Sequence, residues 1–209
     1  MKDVSEGRHW YDGWFYAVFI DSNLNDFRER LFRFIPENAN VLDIGCGTGG
    51  FAMKLASRCR HVVGVDISKK QIDMAKKRMA RQKIENVNFI HADARHLDRL
   101  NDQKYDVGIL SFVIHEMPHD DRLAMLRAAT KIVSKIIILD YHTPHPKSFW
   151  GQTTRMIEFL AGTEHFRNFK DYLQRDGLDG ILKEARLTIN DQVVNRKHIF
   201  RTVILDGRK

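Results

Sequence analysis

The chain has 209 residues, of which 43% are hydrophobic and 29% charged, with a formal net charge of +7. That is enough apolar material for one sizeable α/β core, and no low-complexity linker divides it, so a single domain over 1–209 is expected. No run of about 18 apolar residues exists for a membrane span, the start MKDVSEGRHW is unlike a secretory signal, and two cysteines suggest no disulfide framework, which together predict a cytoplasmic protein.

The first element is aromatic. Trp10, Tyr11, Trp14, Phe15, Tyr16 and Phe19 precede Leu24, Phe27, Leu31 and Phe34, which recur near helical spacing and predict an apolar helical lid, or its anchor, within 1–37. The run VLDIGCGTGG, Val41 to Gly50, then reads as a buried strand ending in a turn where Gly45, Gly47 and Gly49 let backbone bend sharply and approach a ligand closely. A helix over roughly Phe51 to Arg60 would point its N-terminal amides at that ligand. Gly45, Gly47 and Gly50 also satisfy G-x-G-x-x-G, so the glycines alone leave an NAD-dependent oxidoreductase open. Asp43 separates the alternatives, because a carboxylate beside the turn repels a pyrophosphate and attracts an ammonium. S-adenosylmethionine carries such an ammonium. DIGCGTG resembles the first motif of class I S-adenosylmethionine-dependent methyltransferases, in particular the small-molecule group of ubiquinone and menaquinone C-methyltransferase-like proteins, over essentially Asn38 to the end.

The next elements continue the alternation of strand and helix. HVVGVDIS, His61 to Ser68, is a second buried strand whose terminal Asp66 stands at the separation that suits ribose hydroxyls. Ser68 and Gln71 form a capping box that starts a helix running to about Gln82. NVNFIHADA, Asn86 to Ala94, gives a third strand ending in Asp93, for which the resemblance implies an adenine contact and cap preference an N-cap. The resemblance also places Cys46, Ile67, Gln71, Ala94, Arg95, Ser111 and Phe112 against the cofactor, and carries Tyr11 to its amino-acid end.

YDVGILSFVIHEMP, Tyr105 to Pro118, is apolar throughout, as a central parallel strand should be. His115 near its end is the preferred proton acceptor, with Tyr11, His142 and His165 as further candidates. His115, Glu116 and His119 spell H-E-x-x-H, but zinc is not expected there, because Pro118 opposes the helix that the motif requires. Leu123, Leu126 and Ile132 mark a further helix, and KIIILDY, Lys135 to Tyr141, a fifth strand. An insertion over 142–177 follows. Phe149, Trp150, Met156, Ile157, Phe159 and Leu160, then Phe166, Phe169, Tyr172 and Leu173, predict two amphipathic helices; in methyltransferases such additions form the substrate cover. A helix over Leu178 to Arg186 leads to Leu187–Val194 and His198–Asp206, whose short connection forces an antiparallel hairpin.

The resulting fold is α/β, a Rossmann-like three-layer sandwich with a seven-stranded, mostly parallel sheet; the resemblance supplies the order 3-2-1-4-5-7-6 with strand 7 antiparallel. The expected function is methyl transfer from S-adenosylmethionine to a small apolar or aromatic acceptor, leaving S-adenosylhomocysteine. A non-catalytic S-adenosylmethionine-binding module is the alternative that keeps the fold without turnover. Nucleic acid is disfavoured: the basic run KKQIDMAKKRMARQK falls on a helix whose charges suit solvent, and no Asn/Asp-Pro-Pro-aromatic motif follows the fourth strand.

Overall fold

The computed structural model describes residues 28, 30–99 and 104–207, so Tyr11 and most of the expected lid lie outside the described residues. A helical turn at Arg30–Phe34 leads into β1 (Asn40–Ile44), α1 (Gly50–Leu55), β2 (His61–Asp66), α2 (Lys69–Gln82) and β3 (Val87–His91). After a turn at Ala94–Arg99 come β4 (Tyr105–Ser111), a short turn at Ile114–Glu116, α3 (His119–Ile132) and β5 (Val133–Tyr141). Three helices follow, α4 (Phe149–Leu160), α5 (Thr163–Gln174) and α6 (Gly177–Glu184), and then the hairpin of β6 (Ile189–Val194) and β7 (Phe200–Asp206).

The seven strands form one sheet in the order β3-β2-β1-β4-β5-β7-β6. β1 to β5 are parallel, and β7 runs antiparallel to both β5 and β6. The middle strands lie inside: Leu42, Ile44, Ile109, Leu110 and Ile136 to Ile138 are each fully buried, so helices cover both faces. Each such side chain contributes about 1.5–3 kcal/mol by leaving water. At the edge, β6 exposes Asn190, Asp191 and Gln192, polar residues that discourage further strand pairing.

Two elements are shorter than the sequence predicts. α1 ends at Leu55, where the Asn86 side-chain amide donates to the carbonyls of Ala56 and Cys59 and ties the chain down. β4 stops at Ser111 and does not run to Pro118: Phe112 takes a φ of 60°, its ring enters a cluster with Tyr141 and Phe200, and Asp140 accepts from the amides of Ile114 and His115. An aspartate therefore ends the strand. The basic helix α2 buries only Ile72 and Ala75, which leaves its charges in solvent as expected. In the insertion, the loop between β6 and β7 reaches α4, with the Lys197 ammonium 3.4 Å from the centre of the Trp150 ring.

Candidate functional site

The turn between β1 and α1 is built by the backbone of β2. Gly45 and Cys46 donate to the Val65 carbonyl at 2.8 and 3.0 Å, Gly47 donates to Asp66 Oδ2 at 2.8 Å, and Arg78 donates to Thr48 Oγ1 at 2.7 Å. Gly45, Gly47 and Gly49 all have positive φ. A Cβ at Gly49 would stand 2.3 Å from Phe89 Cζ, whereas one at Gly47 would meet nothing within 4 Å. The turn is packed on one side and open at Gly47. α1 has only six residues, so the backbone of the turn, more than a helix dipole, faces that space.

The acidic residues around this turn do more than the sequence suggested. Asp66 accepts from Gly47 through Oδ2 and from Ser68 through Oδ1, both at 2.8 Å, so its first job is to hold the turn to the start of α2. Ser68 caps α2 by accepting from Gln71, and Ile67, between Asp66 and Ser68, is 54% exposed, an apolar platform beside the open space. Asp93 receives the backbone amide and the guanidinium of Arg95, which also reaches Asp121, and it opens the turn that begins at Ala94. Its cap and ion-pair roles are therefore both filled. Buried Asp43 lies one residue before the end of β1. Burial, then Asp43 and Asp66, push the Cys46 thiol well above its ordinary range, which disfavours the thiolate. Ser111 accepts from Arg28 at 3.0 Å, and Phe112 offers a ligand only its backbone, because its ring is in the core.

His115 stands in a different setting from the strand end that was expected. It lies in the turn after β4 and is 1% exposed, with Nδ1 2.7 Å from Asp140 Oδ1. Its Nε2 is 3.6 Å from Glu158 of α4 and 3.9 Å from Glu116. Glu158 also binds His165 of α5 and accepts from the Tyr141 hydroxyl at 2.5 Å. Burial lowers the affinity of His115 for a proton, but Asp140 and Glu158 outweigh it and hold the imidazole up to about 9. At neutral pH that is the wrong protonation state for a general base. Burial raises Glu158, yet His115 and His165 hold it below the ordinary range.

Other candidates separate. His142 follows β5 on the side of β7, its ring 6.0 Å from that of His198. His119 pairs with Glu184 at 3.0 Å, so H-E-x-x-H does not converge. The sequence reading named His115 and His165 but missed Asp140, Glu158 and Arg122. Arg122 is fully buried and donates to the Ile114 and Asn168 carbonyls and to Asp171. An acid closing an apolar strand and an arginine within an apolar helix were the available signals.

Residues 41–135 match the family model described as "Methyltransferase domain". That segment is similar to methyltransferase domains, and the sheet it belongs to has the strand order of their class I fold. The chain is 28% identical to the demethylmenaquinone methyltransferase of Lactobacillus johnsonii over 71% of its own length and 59% of that protein's. It is 39% identical to a candidate large-subunit ribosomal RNA methyltransferase of Methanocaldococcus jannaschii over 48% of its length, but spans only 27% of that relative. Among solved structures it resembles the N-methyltransferase NodS from Bradyrhizobium japonicum in complex with S-adenosyl-L-homocysteine, with a TM-score of 0.62 and 18% identity over 96% of this chain and 95% of that one. The matched segment holds the glycine turn, Asp66, Asp93 and His115, whereas Glu158 and His165 lie beyond it.

Proposed function

We propose that this methyltransferase domain binds S-adenosylmethionine at the Gly45–Gly49 turn and transfers its methyl group to a small acceptor with an apolar or aromatic body. One observation carries the cofactor reading: of the three turn glycines only Gly47 has open space at its Cβ position, and Asp66 at the end of β2, exposed Ile67 after it and Asp93 just after β3 lie at the same ends of the strands. These residues suit a nucleoside with an amino-acid tail, since carboxylates favour hydroxyl and ammonium donors and Ile67 offers an apolar face. When bound, S-adenosylmethionine supplies an activated methyl and its own leaving group. The chain's part is to bind, orient and exclude water. Asp66 sets the turn through Gly47 and Ser68, and Arg78 fixes Thr48, so the chain's own hydrogen bonds hold the shape of the cradle.

The small-acceptor reading draws on the demethylmenaquinone methyltransferase relative and on α4, which exposes Phe149, Trp150, Met156, Phe159 and Leu160. Such a face suits an aromatic acceptor better than a polyanion, which needs basic contacts. No helix among the described residues is long and apolar enough to cross a membrane. The test combines binding and turnover. S-adenosylhomocysteine should raise the melting temperature while NADH does not, and labelled methyl groups should pass from S-adenosylmethionine to quinol or phenol acceptors in preference to ribosomal RNA. A larger shift with NADH would overturn the cofactor reading, and labelling of RNA alone would overturn the acceptor reading.

A further inference from the structure

The buried group formed by the turn after β4 and the helices α4 and α5 is unlike a packed core. One donor atom each of His115, Glu158 and His165 lies within 4.8 Å of the others, and all three residues are buried. Asp140 accepts from the amides of Ile114, His115 and Tyr141, an arrangement that suits an ionised carboxylate. His115 Nδ1 must therefore donate to Asp140 Oδ1, and Nε2 has no hydrogen-bond partner although it points toward the carboxylates of Glu158 and Glu116. The carboxylates that favour a proton on Nε2 would equally favour a metal cation in its place, with the proton released on binding.

We propose that His115 Nε2, His165 Nε2 and Glu158 together bind one divalent first-row transition-metal ion. Two imidazoles and one carboxylate suit Zn2+, Fe2+ or Co2+, whereas Mg2+ and Ca2+ prefer oxygen alone. Metal bonds of about 2.0–2.2 Å set neighbouring donors about 3–3.5 Å apart. His115 Nε2 stands 3.6 Å from Glu158 Oε2, close to that spacing, whereas His165 Nε2 is hydrogen-bonded to the same oxygen and would draw back from it to share a metal. Outer partners are in place too. Asp140 fixes the His115 ring, as carboxylates behind metal-bound histidines do, and the Tyr141 hydroxyl orients the second oxygen of Glu158. The helix itself carries a further sign: α4 buries only Gly151 and Glu158 while its large apolar side chains face outward, so a carboxylate holds the inner position where a leucine would ordinarily sit.

The experiment uses the full chain without an affinity tag, stripped with chelator and titrated with Zn2+ by calorimetry and with Co2+ by visible absorption. One ion per chain, with sub-micromolar Zn2+ affinity and a Co2+ ligand-field band, is expected. Glu158→Gln keeps the shape of the side chain and His165→Ala removes a ligand; each should weaken Zn2+ binding by about 100-fold with the circular dichroism spectrum retained, while His119→Ala leaves binding unchanged. Failure of wild type to bind stoichiometrically overturns the proposal. So does a tight site that survives Glu158→Gln, the variant that decides the matter if His165→Ala does not fold, or one that is lost in His119→Ala.

Discussion

Position 49 and position 47 differ by what a single methyl group would meet. At Gly49 a Cβ strikes the ring of Phe89 at 2.3 Å and the backbone is left-handed, so Gly49→Ala combines strain with overpacking and should cost about 2–5 kcal/mol in urea unfolding. Gly47→Ala carries only the backbone term, about 1–2 kcal/mol, but fills the opening; its calorimetric affinity for S-adenosylhomocysteine should fall while the fold survives. The reverse pattern would place the ligand elsewhere. Asp93 gives a second test. Burial pushes its carboxyl up, but the Arg95 guanidinium and amide hold it below the usual carboxylate range. A depressed folded pKa stabilises above the unfolded value of about 3.9 and loses that contribution as pH falls through the folded value. The melting-temperature gap between wild type and Asp93→Asn should thus narrow from about pH 5 to about pH 2; a constant gap would show that the pair does not titrate with folding.

At the scale of elements, Arg122 joins α3 to α5 and to the His115 turn through Ile114, Asn168 and Asp171. Arg122→Met fills part of the volume but removes three hydrogen bonds, while Ile114 keeps the Met117 amide and Asp171 keeps Arg175, so a loss of about 2–4 kcal/mol in denaturant unfolding is expected. A loss below about 1 kcal/mol would mean that water replaces these bonds. Local signals made most elements legible: Ser68 caps α2, the spacing after Val194 forces the β6–β7 hairpin, and the glycine turn sits where its residues put it. The insertion was legible as two helices but not in its orientation. Its aromatics marked two amphipathic helices without saying which side faces in, and α4 turns Glu158 inward because the partners that compensate a carboxylate come from His115 and His165 on other elements. The end of β4 was hidden for the same reason: Phe112, Val113 and Ile114 remain apolar while the chain turns toward Asp140.

Across the whole molecule, β7 fills the place between β5 and β6. Ending the chain after Arg186 would turn β5 into an open edge presenting Ile136 to Ile138, so the truncated protein should aggregate on expression; a soluble monomer would show that the hairpin is dispensable. The same hairpin touches the insertion at Lys197 and Trp150. The chain has three tryptophans, and Trp10 and Trp14 lie in the N-terminal aromatic segment. Replacing those two with phenylalanine would leave a single indole, half exposed and seated under an ammonium at the junction of α4 and the hairpin. The molecule thus carries its own optical gauge: the colour and quenching of that one emission would register any substance that settles on α4, in real time and without a label.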